Sequence, residues 1–162
     1  LALFLTLIPI TTQASDLETR VRSFYTETVQ APQPSIVPFI SIHGNYGFRQ
    51  NVGGVGFTGG IDYENVRFML SYDYMRHAAR SIHMLSTETA YMVPVIPNFK
   101  IGPSIGIGYL YAPSHNHVFG TIGVVTSVSL SQNWELTNRY RYVYNNGRRQ
   151  EHIISSGITY RF

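Results

Sequence analysis

Cysteine is absent from the chain, which excludes a disulfide framework and thiolate chemistry. Charge is scarce too. Only 13% of the 162 residues are Asp, Glu, Lys or Arg, about half the share in an ordinary soluble domain. The net charge of +3 comes from scattered basic residues, with only Arg148 and Arg149 adjacent. A nucleic-acid surface needs a basic face or stripe, so no nucleic-acid partner is expected. Past residue 14 no apolar run approaches the roughly 20 residues of a spanning helix. Mean hydropathy is close to neutral, and a bundle of membrane helices is excluded. What the chain has instead is aromatic residues, 14% of the total, with twelve Tyr and nine Phe.

The opening LALFLTLIPITTQAS reads as targeting. Leu1 to Ile10 look like the apolar region of a secretory signal, and Thr12-Gln13-Ala14 puts small residues before a cut expected after Ala14. Residues 1–14 are therefore expected to be a signal remnant. In SDLETRVRSFYTETVQ, Ser15 and Glu18 form a capping box. Leu17, Val21, Phe24, Tyr25 and Val29 follow at helical spacing. Residues 15–34 then read as a short amphipathic helix and a Pro-containing linker, lying at a membrane interface or packed on a soluble domain.

From Ser35 onward the apolar period becomes two. Eight strands are expected at about 35–48, 53–63, 66–77, 82–94, 99–111, 118–131, 133–144 and 152–162, separated by turn chemistry. Most exceed the usual five or six residues and suit the tilted crossings of a membrane barrel. In the fifth, Phe99, Ile101, Ile105, Ile107, Tyr109 and Tyr111 alternate with Lys100, Gly102, Ser104, Gly106 and Gly108. A soluble sandwich also alternates, but it turns its large apolar side chains into a shared core and its charges into water. Here the second face is mainly Gly, Ser, Thr and charge, while the apolar faces end in aromatics. Trp134, Phe99, Tyr63 and Phe162 mark one end, and Tyr72, Tyr74, Tyr109, Tyr111, Tyr142 and Tyr144 the other. Two aromatic girdles are the mark of a barrel in a bilayer. The fold class expected is all-β: an eight-stranded antiparallel up-and-down transmembrane barrel over residues 35–162, preceded by the helix.

Eight strands leave an interior just wide enough for side chains. The inward set is Asp62, Arg67, Asp73, Glu88, Lys100, Glu135, Arg139, Arg141 and Arg161. Buried charges need partners, so these are expected to pair into a plug rather than line a conducting pore.

The ending GITYRF resembles the assembly signal of Gram-negative outer-membrane proteins. Together with WELTNRYRYVYNNG it resembles the final hairpin of the small OmpA/OmpX-type barrels. That resemblance implies an outer-membrane location, contact with membrane lipids and lipopolysaccharide, recognition of Phe162 by the barrel assembly machinery, and a monomer. A narrower resemblance is to the lipid A palmitoyltransferase family, PagP, through PFISIH, GGVGF, NFKIGPSIGIGY and YNNG. It implies that His43 is catalytic. The family's adjacent Asp-Ser pair is missing. YDYMRHAARS holds Asp73 and Ser81 apart, leaving these two as candidate partners. The PagL deacylase fits less well, since its His-x-Ser would fall on Tyr142 to Tyr144.

Acyl transfer needs a base within hydrogen-bond reach of its partner. By parity His43 faces inward with Ser41 and Asn45, either as that base or as a hydrogen-bonded lumen residue. His115 and His117 fall in the loop SHNH without a third ligand, so no metal is expected there. Arg148 and Arg149 are candidates for lipopolysaccharide phosphates, with solvated loop charge as the plain alternative. No glycine loop opens a helix as a nucleotide site does, and no cofactor is expected. The reading is a non-enzymatic envelope barrel, with a PagP-like acyltransferase as its rival.

Overall fold

The computed structural model describes residues 35–77, 80–113, 115–144 and 150–162. The expected signal remnant, the helix with its linker, and Arg148 and Arg149 lie outside the described residues. The strands are β1 (Ile36–Gly47), β2 (Val52–Tyr63), β3 (Val66–His77), β4 (Arg80–Tyr91), β5 (Val93–Ile96), β6 (Phe99–Ala112), β7 (His115–Ser129), β8 (Trp134–Tyr144) and β9 (Glu151–Arg161). β5 resumes β4 after a break at Met92, for both pair with β6 in one register, Ala90 opposite Ser104 and Val93 opposite Ile101. Pro94 and Pro103 flank the break and supply no ladder donor. Met92 N instead donates to Asn65 O at 2.6 Å.

Every neighbour is antiparallel, and β1 pairs with β9, so eight crossings close into a barrel. Stepping from partner to partner, Val37 leads through Asp62, Arg67, Ala90, Ser104, Gly123, Arg141 and Ile153 to Gly47. The circuit returns to β1 ten residues along. That stagger fixes the strand tilt, and with it which inward residues share a level. Closure also removes the exposed edges that strands of 11–15 residues would carry.

Alternation along each strand places Ile105, Ile122, Phe57 and Ile42 outside, and His43, Arg67, Asp73 and Arg141 inside. The outer wall is apolar and the lumen polar. At the end where β1 begins and β9 stops (the terminal end), Trp134, Tyr160 and Phe162 stack edge to face at 5.0 and 5.2 Å. Toward the opposite, far end, the His83 ring lies against Tyr72, Tyr74 and Tyr111, and His152 against Tyr140 and Tyr142.

Three expectations need correction. β7 starts at His115, not near residue 118, because His115 and His117 pair with Ala112 and Leu110. They therefore lie on a strand, not in a loop. Glu151, placed in the last loop, begins β9. Its buried carboxylate accepts from Arg49 N at 2.7 Å and Gln50 N at 3.1 Å, tying two far-end turns together. The lumen is also less uniformly polar than its parity suggests. Val52, Met75, Met84, Phe119, Val143 and Ile153 form an apolar layer toward the far end, and Phe39, Met69, Ala90, Met92 and Val125 a second toward the terminal end. All four methionines of the chain point inward.

The β1–β9 seam closes the barrel and depends on Gly157, which pairs with His43. A Cβ at Gly157 would collide with Ile42 O and lie 2.7 Å from His43 Cα. Backbone cannot step aside as a flexible side chain can. Gly157→Ala is expected to destabilise the barrel by about 1–3 kcal/mol, read as an earlier urea midpoint with an unchanged slope.

Candidate functional site in the lumen

Between the two apolar layers lies a polar band centred on Asp73. Its Oδ1 accepts from His43 Nε2 at 2.7 Å and Asn45 Nδ2 at 2.9 Å, and Arg141 Nη1 lies 2.9 Å from Oδ2. His43 and Asp73 sit on strands that are not neighbours. Both pair with Gly56 of the intervening β2, and the missing side chain there lets them meet across it. Arg141 extends the network to Glu88 Oε1 at 3.3 Å and Ser155 Oγ at 3.2 Å. Arg139 donates to Ser71 Oγ at 2.8 Å and comes within 3.0 Å of His43 Nε2.

The geometry decides how the His43 ring is used. A guanidinium can only donate, so Nε2 cannot serve Arg139 as acceptor while donating to Asp73. The shorter, charge-assisted contact to the carboxylate wins. Nε2–H is thus committed to Asp73, with Arg139 anchored through Ser71. A carboxylate-oriented imidazole of this kind occurs at acid–base sites, but it also satisfies a buried histidine.

A second ionic group sits toward the terminal end. Arg67 grips Asp62 through two bonds of 2.6 and 2.8 Å and reaches Glu135 at 2.9 Å. Arg161 approaches Glu135 at 3.2 Å and Asp62 at 3.4 Å, and Ser127 donates to Glu135 at 2.8 Å. Arg67 also covers the Phe39 ring at 4.8 Å. Across the two groups four arginines face four carboxylates, so these groups carry no net charge between them.

Two of the proposed residues are placed differently. Lys100 is half-buried close to the start of β6 and makes no ion pair among the described residues, because at the rim its ammonium reaches solvent. Ser81 shares the parity of His83 and Leu85 and faces outward, its Oγ 3.2 Å from the Tyr74 hydroxyl. The barrel wall separates it from His43, so it is no partner of that ring. Asn45, Ser71 and Ser155 complete the band. Parity marks them as inward, yet nothing in the linear spacing says which charged group each one meets.

Two grooves on the described residues are large enough for a ligand, about 720 and 590 Å³. Both lie on the outer wall, one along Phe68, Leu70, Ile105 and Ile107, the other along Ile40, Ile42, Phe57 and Tyr72. Neither opens onto His43. No cluster of three metal-binding side chains occurs among the described residues.

No protein-family model and no curated protein matches the chain. Solved structures do. The N-terminal β-barrel domain of Pseudomonas aeruginosa OprF aligns with a TM-score of 0.63 at 16% identity, over 80% of this chain and 100% of that one. Neisserial surface protein A aligns at 0.55 and 12% identity, over 78% and 97%. A de novo designed transmembrane β-barrel aligns at 0.57 and 20% identity, over 80% and 98%. The chain shares the fold of small eight-stranded outer-membrane barrels.

Proposed function

We propose that the protein is a small outer-membrane barrel of a Gram-negative envelope, non-conducting, with a structural or surface-interaction role. One observation carries this reading: apolar side chains cover the outside while three arginines and five carboxylates are buried within. In water that distribution is unfavourable on both sides of the wall. In hydrocarbon it is favourable on both. The terminal end would face the periplasm, with Phe162 available to the assembly machinery, and the far end would face outward. Arg49 and Arg76 are exposed there, and Arg148 and Arg149 follow β8 in sequence. Their forks suit the phosphates of lipopolysaccharide.

The ionic band and the two apolar layers oppose ion flow, so reconstituted protein should leave a planar bilayer at its baseline conductance. Discrete steps above baseline would overturn the closed-lumen reading. Fractionation into outer membrane, with folded and boiled forms migrating differently on a gel, tests the location.

The His43–Asp73 contact favours one second reading, the PagP-like acyltransferase. An acyl chain and a hydroxyl would have to reach Nε2, which is already held by Asp73 between Gly56 and Gly157. His43→Ala is therefore expected to leave the lipid A acylation pattern unchanged by mass spectrometry. Loss of one acyl chain in cells carrying that variant, with the barrel folded, would establish the enzyme.

A further inference from the structure

We infer that the outer face of β7, β8, β9 and β1 is a self-association surface, on which Asn138 of one copy pairs with Asn138 of a second. This rests on the membrane reading above and adds a partner to it. The outward positions of β8 run from Trp134 through Leu136 and Asn138 to Tyr140, Tyr142 and Tyr144. Those of β9 run from Tyr160 through Ile158, Ser156 and Ile154 to His152. Asn138 and Ser156 thus stand midway between the two aromatic girdles, at the depth where a bilayer is pure hydrocarbon.

Asn138 is partly exposed, and its side chain makes no hydrogen bond among the described residues. A primary amide presents two N–H donors and an oxygen acceptor. Acyl chains can answer none of them, and each unmet group in hydrocarbon is unfavourable. Lipid headgroups lie at the wrong depth. A second Asn138 is the complement, because two amides facing each other across a two-fold axis exchange N–H···O bonds in both directions.

The neighbours favour close approach. The registers set Asn138 between Thr126 and Ser156, and Ser156 beside Gly44. All three are small, and the two hydroxyls can turn onto strand carbonyls when unpartnered. On the opposite wall, β3 presents Phe68 and Leu70, exposed and apolar. The polar amide marks one side of the barrel, and the single-copy state expected from the OmpA/OmpX-type resemblance gives way to a two-fold pair.

The chain has no cysteine, so single-cysteine variants report without background. Ser156→Cys, oxidised in native membranes or in phosphatidylcholine vesicles at high lipid-to-protein ratio, should trap a covalent dimer, and Leu70→Cys, on β3 across the barrel, should not. Adding Asn138→Leu to Ser156→Cys should suppress the dimer. Energy-transfer dilution in the same vesicles should show association about tenfold weaker for Asn138→Leu than for the parent, the scale of amide pairs in membranes. Asn138 faces outward, so the variant should keep the shifted gel mobility of a folded barrel. Equal cross-linking of the Ser156→Cys and Leu70→Cys variants, or identical dilution curves for parent and Asn138→Leu, would overturn the inference. A membrane-embedded monomer overturns it alone, and protein that stays soluble without detergent overturns the membrane reading with it.

Discussion

Asp73→Ala is expected to lower the unfolding free energy by about 3–5 kcal/mol, the cost of removing one member of a buried ionic group. The carboxylate holds His43, Asn45 and Arg141 at 2.7, 2.9 and 2.9 Å. Without it Arg141 keeps one carboxylate, Glu88 at 3.3 Å, beside the neutral Ser155 hydroxyl. Arg139 has no carboxylate within 4 Å among the described residues even in the native lumen, so the band would carry uncompensated positive charge. Reversible urea unfolding in lipid vesicles, followed through the lone Trp134, measures the loss. Glu64→Ala, in the exposed turn after β2, should move the midpoint hardly at all. Equal effects at the two positions would refute the network. Removing one charge of each sign, by Asp73→Ala with Arg141→Met, should recover much of the stability, since no buried charge is then left alone.

Ile105→Lys should cost about 2–4 kcal/mol, although Ile105 is 66% exposed and touches little of the protein. The penalty comes from the solvent. Ile105 lies mid-strand on the outer wall of β6, between Phe99 at one end and Tyr111 at the other. An ammonium there must sit in hydrocarbon or bend toward a headgroup. On a water-soluble barrel the same change would shift stability by no more than about 0.5 kcal/mol. Ser156→Lys, at matching depth on β9, should behave alike, whereas Tyr111→Lys near the far rim should cost about 1 kcal/mol or less. A flat profile across the three would mean that water, not lipid, covers the wall.

Parity carried most of what could be read before the structure. It separates Arg139 and Arg141 from Tyr140 and Tyr142 without any knowledge of their contacts. It says nothing of height. The ten-residue stagger decides that, and no local pattern encodes it. Parity places Met69, Met75 and Met84 singly on a polar face, and only the circuit gathers them with Phe39 and Phe119 into layers. Asp73 was legible as inward, but its meeting with His43 depends on Gly56 occupying the strand between them. Ser81 failed for a simpler reason. The length of the β3–β4 turn cannot be read from HAAR, so parity does not carry across it, and the pairing of Arg76 with Ser81 resolves it.

The layered lumen also bears on assembly. Inside–outside alternation forbids a strand from slipping by one residue, because every side chain would change face. A slip by two preserves the alternation and would pass that test. It would not pass inside this barrel. Moving β8 by two residues would slide Arg141 toward Phe119 and Met84 and leave Asp73 facing Val143 or Arg139. Ion pairs that contribute modestly to the finished fold thus act as a proofreading code for register, one that tells the correct sheet from its otherwise equivalent neighbours.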